Sequence, residues 1–460
     1  MQSPSSALLA TLFAQLVDCE FEPAASRAIL QRAAARHGLE DCFDLDALQH
    51  GGHFARDRLL FGASDLQRWA FTAQTDETWV RCETDAAGAE QLGQLIYAWA
   101  RGEEEFVTAW RDAFPDTPVP GFEPPRDVAR WPRAEGPCIV RREHASLLID
   151  SGTTRVLLDP QGLESGWTTN DGRYPAEDGP LAADAICLTH SHSDHFALAS
   201  MIAHCREDTR VIVPRVERAN LLCPDVRRAA QIVGLDVEDP PWGEVVTVGD
   251  ISIEVLPFYG EQPTRSLRTT PAGVRNWGNC YRFQTPTFSA IALVDSGVDP
   301  SGSVHASLRR SVERFGPTDV VLSCCAGFPE IINAGLRNYI FTQPFALLRQ
   351  THLARKHGAA RLPITFGPSG VARACESAAA TYFAPYAHGF EGLGVHPRDE
   401  RWMVEHLEPQ LQGTAMLRWA PGDIMRFEGG SASVTRPTRA GARRRETARP
   451  TEERRDSSPR

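Results

Sequence analysis

His190, His192, Asp194 and His195 fall within six residues, in the run Leu188-Thr-His-Ser-His-Ser-Asp-His-Phe196. Three imidazoles and a carboxylate are neutral-nitrogen and anionic-oxygen donors, a set suited to divalent zinc or iron. Ligands on one helix face would recur at i and i+4. The H-x-H-x-D-H spacing is tighter, and suits a loop wrapped around a pair of ions with alternate side chains directed to different ions. The bland alternative is a solvated polar loop. Three of the chain's 14 histidines within six positions argue against it.

The flanking residues say what must hold this loop. Ala185-Ile-Cys-Leu188 is a short apolar run without Gly or Pro, which predicts a buried strand, and Phe196 to Ala203 predicts a helix. The donor string therefore lies between the C-terminal end of a strand and the start of a helix, where open α/β sheets bind ligands. Upstream, Ser146-Leu-Leu-Ile-Asp-Ser-Gly-Thr-Thr-Arg-Val-Leu-Leu-Asp-Pro160 reads as a hairpin turning at Gly152 and ending in Asp159.

On these two segments the chain resembles the metallo-β-lactamase superfamily, over roughly residues 135 to 428. The resemblance implies an α/β fold, the αββα sandwich, with a one- or two-metal site at the sheet edges. It assigns Asp159 to orienting a ligand histidine from behind. It places a bridging aspartate after a later strand, and Asp295 after Ser289-Ala-Ile-Ala-Leu-Val294 matches; a strand-end Asx turn is the bland reading. It places a last histidine after a terminal strand, and His388 after Thr381-Tyr-Phe-Ala-Pro-Tyr-Ala387 matches. The implied cofactors are two divalent metal ions, zinc or iron, with manganese as a further option. The metal set is then His190, His192, Asp194, His195, Glu261, Asp295 and His388, with Asp194 also placed to steer a nucleophile or take a proton.

Glu261 enters because one family ligand is missing. A third histidine for the first metal belongs between the donor string and Asp295, where only His204 occurs, and it falls too early. Glu261 follows the expected strand Ile251 to Leu256 and is the best donor there; Asn279 and Cys280 are the alternatives. A carboxylate in place of imidazole hardens the site and favours iron or manganese over zinc. One branch of the superfamily, represented by the β-hydroxylase of chloramphenicol biosynthesis, uses two irons and oxygen, has a glutamate ligand in this part of the chain, and carries an N-terminal domain. This chain shares both features, but lacks an additional histidine between Glu261 and Asp295.

The implied activity is hydrolysis, by a metal-bound hydroxide attacking an ester, thioester, amide or phosphodiester. The alternatives are a diiron oxygenase acting on an amino-acid-derived substrate, and a non-catalytic metal-binding module. The substrate is expected to be a small molecule or one tethered to a carrier.

Length and composition set the surroundings. The 460 residues allow two domains, and 42% hydrophobic with 23% charged residues is ordinary for a soluble chain. Met1-Gln-Ser-Pro has no basic leader and no apolar run reaches membrane-spanning length, so a cytoplasmic protein with no membrane association is expected. The 11 cysteines are scattered without a C-x-x-C pair, which argues against a disulfide framework. Lys356 is the single lysine, which leaves little room for Schiff-base chemistry.

Residues 1–130 form a compositional unit expected to be a mostly helical capping or interaction domain, through which a homo-oligomer can form. Residues 131–430 are the metal-binding domain. Residues 431–460 are expected to be a disordered Arg-rich tail; from Thr435 onward it holds nine Arg against four acidic residues, and leaves the remaining chain more acidic than the overall −11. An acidic body argues against nucleic acid as a partner. Arg265, Arg268 and Arg275, in the loop after Glu261, are either solvated or able to bind an acidic substrate group.

Overall fold

A computed structural model describes residues 12, 14–37, 69–74, 79–84, 86–116, 118–119, 136–142, 144–161, 183–192, 194–218, 223, 225–260, 275–299, 301–325, 349–350, 352–353, 365–387 and 400–435. Glu261, Arg265, Arg268, His388 and the tail from residue 436 lie outside these, as does most of the Pro-rich stretch that follows Phe114.

Two sheets face each other. Among the described residues one has eight strands, in spatial order Ser431–Thr435, Ile424–Glu428, Cys138–Arg141, Leu147–Asp150, Arg155–Leu158, Ala185–Cys187, Arg210–Ile212 and Val237–Glu238. Its pairings are antiparallel up to Arg155–Leu158 and parallel beyond. The second has seven: Ala415–Met416, Tyr382–Pro385, Val320–Ser323, Ser289–Val294, Asn279–Gln284, Ile251–Pro257 and Val245–Val248. Its first three pairings are parallel and the rest antiparallel.

The strands read from sequence as continuous apolar runs because they are buried on both faces. Alternation then divides each strand between two cores. Ile139, Leu147, Ile149, Val156, Leu158, Ala185, Cys187 and Ile212 point inward and meet Ile253, Val255, Tyr281, Phe283 and Ile291 of the opposite sheet. Their neighbours Cys138, Val140, Leu148, Leu157, Ile186 and Val211 point outward under helices Leu198–His204 and Val226–Ile232. Helices His305–Phe315 and Pro368–Ser377 cover the second sheet, through Leu308, Val371 and Ala374. This is the αββα sandwich expected.

The N-terminal unit, expected to be mostly helical, contains among its described residues helices Pro23–His37, Ala86–Arg101 and Glu103–Ala113 and a hairpin of Trp69–Gln74 with Trp79–Thr84. It is not separate in packing. Ala89, Leu92 and Ile96 join the outer core of the first sheet, and Arg101 Nη2 donates to the Cys205 carbonyl at 2.6 Å. Gly93 permits the approach, because a Cβ there would lie 2.4 Å from the Val233 carbonyl oxygen.

Two boundaries shift. The helix after the donor string begins at Leu198, not Phe196. Residues 431 to 435 are not tail: Ser431–Thr435 is a strand paired in register with Ile424–Glu428. Once Gly429 and Gly430, both at positive φ, turn the chain, hydrogen bonding to an open sheet edge outweighs the polar composition of that segment.

Candidate metal centre

The site gathers at the ends of strands from both sheets. Asp159 follows Arg155–Leu158, the donor string follows Ala185–Cys187, and Asp295 follows Ser289–Val294. Two of these exits are bent. Asp159 and Val294 hold positive φ, of 43° and 48°, and the pairing register slips between Ala292 and Val294. Positive φ at a β-branched valine is costly, and such strain persists where surrounding structure demands it. Here the bend delivers the Asp295 carboxylate to the histidines.

Asp159 organises the donors from behind. It is fully buried, accepts from the Thr189 backbone N–H at 2.7 Å and from Thr189 Oγ1, and lies 2.9 Å from His195 Nδ1. With Nδ1 so held, His195 Nε2 faces Asp295 Oδ2 at 3.0 Å and Asp194 Oδ2 at 3.8 Å. Thr189 Oγ1 also lies 3.0 Å from His190 Nδ1, which turns His190 Nε2 towards His192 Nδ1, 3.0 Å away. Phe258 stacks on the His190 ring at 5.0 Å and 20°. The rings of His190 and His195 lie 4.1 Å apart, so both halves share one centre.

Electrostatics follow from this crowding. Burial, reinforced by His195 and His192, holds the His190 imidazole well below its ordinary value and keeps it neutral, the form that binds metals. Burial also works against charge on His195, but Asp194, Asp159 and Asp295 outweigh it and raise its value well above the ordinary one. Burial penalises the Asp194 carboxylate, yet His195, His144 and His192 hold it well below the usual range. Asp295 Oδ1 is buried with no hydrogen-bond partner among the described residues. Converging carboxylates with an unanswered oxygen, beside imidazoles held in metal-binding orientation, fit a bound divalent cation.

The structure thus brings His190, His192, Asp194, His195 and Asp295 together. It also brings two residues that sequence reasoning missed. His144 Nε2 lies 3.3 Å from Asp194 Oδ2, and His144, Asp194, His195 and Asp295 offer ligand atoms all within 4.8 Å of one another. Asn276, buried, places Nδ2 3.2 Å from His192 Nε2. His144 sits at positive φ in the tight turn entering Leu147–Asp150, a lone histidine in a polar turn with no spacing to mark it. Neither Asn279 nor Cys280 supplies the missing donor. The Asn279 amide bonds Tyr281 Oη and the Trp242 indole, while the Cys280 thiol contacts the Leu293 carbonyl and is pushed up to about 12 by burial. Arg275 is not a free anion hook, since it bonds Asp299, Ser301 and the Phe258 carbonyl. Of the histidines without motif support, His204 is buried against Arg142, His305 is buried against Phe366, and His352 is half-buried with its edge to Phe21.

Comparison with known proteins agrees with this architecture. Residues 154–284 match the family model described as the beta-lactamase superfamily domain. That stretch of the chain is similar to this domain, and the two facing sheets with their flanking helices have the metallo-β-lactamase sandwich fold. A curated relative, the 4-amino-L-phenylalanyl-[CmlP-peptidyl-carrier-protein] 3-hydroxylase of Streptomyces venezuelae, is 26% identical over 137 residues, or 29% of this chain and 26% of that protein. A UPF0173 protein of Pyrococcus abyssi is 27% identical over 128 residues, 27% of this chain and 50% of that protein. These alignments span a quarter to a half of the relatives' lengths. Among solved structures, CmlA, a diiron β-hydroxylase from Streptomyces venezuelae, superimposes with a TM-score of 0.54 at 19% identity, covering 81% of this chain and 70% of that one. Among the described residues no helix is long and apolar enough to cross a membrane.

Proposed function

We propose that this chain is a dinuclear iron oxygenase that hydroxylates an acyl, and in particular an aminoacyl, group presented on a carrier. His190, His192, Asp194, His195 and Asp295 would hold the metals, with Glu261 and His388 completing the set and His144 a further donor beside Asp194. The observation that carries this reading is the extent of the likeness to CmlA. Residues 131–460 make up less than three quarters of the chain, so a superposition over 81% of it extends into the N-terminal unit. The curated hydroxylase match points the same way.

The metals would supply oxygen activation, and hard carboxylate donors favour iron over zinc for that task. One oxygen atom of O2 enters a C–H bond and the other leaves as water, with two electrons and two protons from an external reductant. The protein's part is to fix the donors from behind through Asp159 and Thr189, and to shield His190 with the stacked Phe258 ring.

The test is metal analysis of chain purified without added metal, followed by reduction and exposure to oxygen with an aminoacyl thioester present. Iron near two per chain, with oxygen consumed in step with a hydroxylated acyl group, is the expected result. Zinc at that stoichiometry, with thioester, ester or phosphodiester cleavage independent of oxygen, would establish the hydrolytic reading instead.

A further inference from the structure

Beside the centre stands a cluster that metal binding does not use. Trp242, Tyr259 and Trp277 surround the Arg275 guanidinium, whose carbon lies 5.8, 5.5 and 5.6 Å from their ring centroids. The Trp242 ring lies 6.0 Å from Tyr259 and 6.1 Å from Trp277, tilted at 47° and 44°. Arg275 is fastened in turn to Asp299, Ser301 and the Phe258 carbonyl, so the three rings are held by a fixed cation. Trp242 is anchored through its indole N–H to the Gly278 carbonyl at 3.0 Å, and the Trp277 backbone N–H is held by Cys223 Sγ at 3.2 Å.

Three features mark this as a binding surface rather than packing. Trp242 and Val298 are the exposed large hydrophobic residues among those described, and Val298 follows Gly297, whose backbone bonds Tyr259. A large indole at 37% exposure is apolar area left open to water. The Trp277 indole N–H is shielded from water and has no acceptor among the described residues. An unmet donor among aromatic faces suits a ligand with an oxygen acceptor next to a flat ring. The cluster is also joined to the centre by its backbone: Asn276, one residue before Trp277, touches His192, and Gly278, one residue after, is bridged to His190.

We propose that Trp242, Tyr259 and Trp277, locked around Arg275, form the subsite that takes a planar aromatic ring of the acyl substrate beside the metal centre. The proposal rests on the acyl-hydroxylase reading above. Offset and edge-on ring contacts reward an aromatic group over an aliphatic one of similar size, and the fixed rings spend little ordering entropy on binding.

The experiment measures binding, not turnover. Amide-linked L-phenylalanyl- and L-leucyl-pantetheine analogues are titrated calorimetrically into metal-loaded full-length protein without oxygen. The phenylalanyl probe is expected to bind about tenfold more tightly. Trp242→Leu and Trp277→Leu should remove most of that preference, weakening the phenylalanyl probe more than the leucyl one, with metal content unchanged. Trp277→Phe, which keeps an aromatic ring but loses the N–H and the second fused ring, should retain a clear preference even if the leucine variant folds poorly. Equal affinities for the two probes, no measurable binding of either, or variants that keep the full preference would overturn the assignment. Because no chemistry is read, a persisting aromatic preference in a protein found to hold zinc and to hydrolyse would retain the subsite and reject the oxygenase reading. Oxygen-dependent hydroxylation without the preference would do the reverse.

Discussion

Asp159 touches no candidate metal position, yet the geometry passes through it. Its two oxygens meet the Thr189 N–H, the Thr189 hydroxyl and His195 Nδ1, so a single carboxylate fixes both the backbone of the donor string and the direction of one ring. In Asp159→Asn the amide would set an N–H donor against one of these donors. Loss of such an outer hydrogen bond weakens metal binding by about 10- to 100-fold. Competition against a chelator of known affinity measures this, and wild-type retention would contradict the role. His144 makes a different prediction, because it stands on the Asp194 side of the centre and not among the His190–His192 pair. His144→Ala should leave the chain with about half the wild-type metal content, since the remaining donors still serve one ion. Undiminished content would reduce His144 to a hydrogen-bond partner of Asp194.

Strands and helices carry these residues, and their legibility in the sequence varied for physical reasons. The hairpin ending in Asp159 and the strand before Asp295 were readable because burial on both faces demands short uninterrupted apolar runs, and those end sharply at a carboxylate. The donor string was readable because its spacing is local. His144 and Asn276 were not, because their relation to Asp194 and His192 exists only after distant segments fold together, and neither residue type is unusual in a turn. The helix Ala86–Arg101 is an intermediate case. It belongs to the unit expected to be mostly helical, but the helices it covers, Leu198–His204 and Val226–Ile232, come only much later in the chain. Gly93 marks the contact, and only the structure gives it meaning. Adding a methyl group there places carbon 2.4 Å from the Val233 carbonyl oxygen and 2.9 Å from its Cβ, so the two helices must move apart. Gly93→Ala should therefore destabilise the protein by about 1–3 kcal/mol despite alanine's better helix propensity. Equilibrium urea unfolding gives the sign, and a stabilised variant would mean that the helices are not in tight contact.

At the scale of the whole molecule, the question is whether the N-terminal unit and the sandwich behave as one body. Leu92 is 2% and Ile96 1% exposed, and they lie in the same core as Leu157, Ile186 and Val211 of the first sheet. The strands of Leu157 and Ile186 lead directly to Asp159 and the donor string, and the helix packs on Leu198–His204, the helix that follows that string. Removing a buried leucine costs about 2–5 kcal/mol, the spread reflecting how far neighbours close the cavity. If the unit is part of the body, Leu92→Ala should lower the temperature of the main unfolding transition and the temperature at which metal is released by the same amount. Bound metal stabilises only the folded state, so release must follow unfolding of the strands that hold it. Calorimetry paired with a colorimetric metal indicator follows both events in one heating series. A variant in which an early transition shifts while metal release stays at the wild-type temperature would show that the helix can melt away from the sandwich, and that the two parts of the chain are thermodynamically separate.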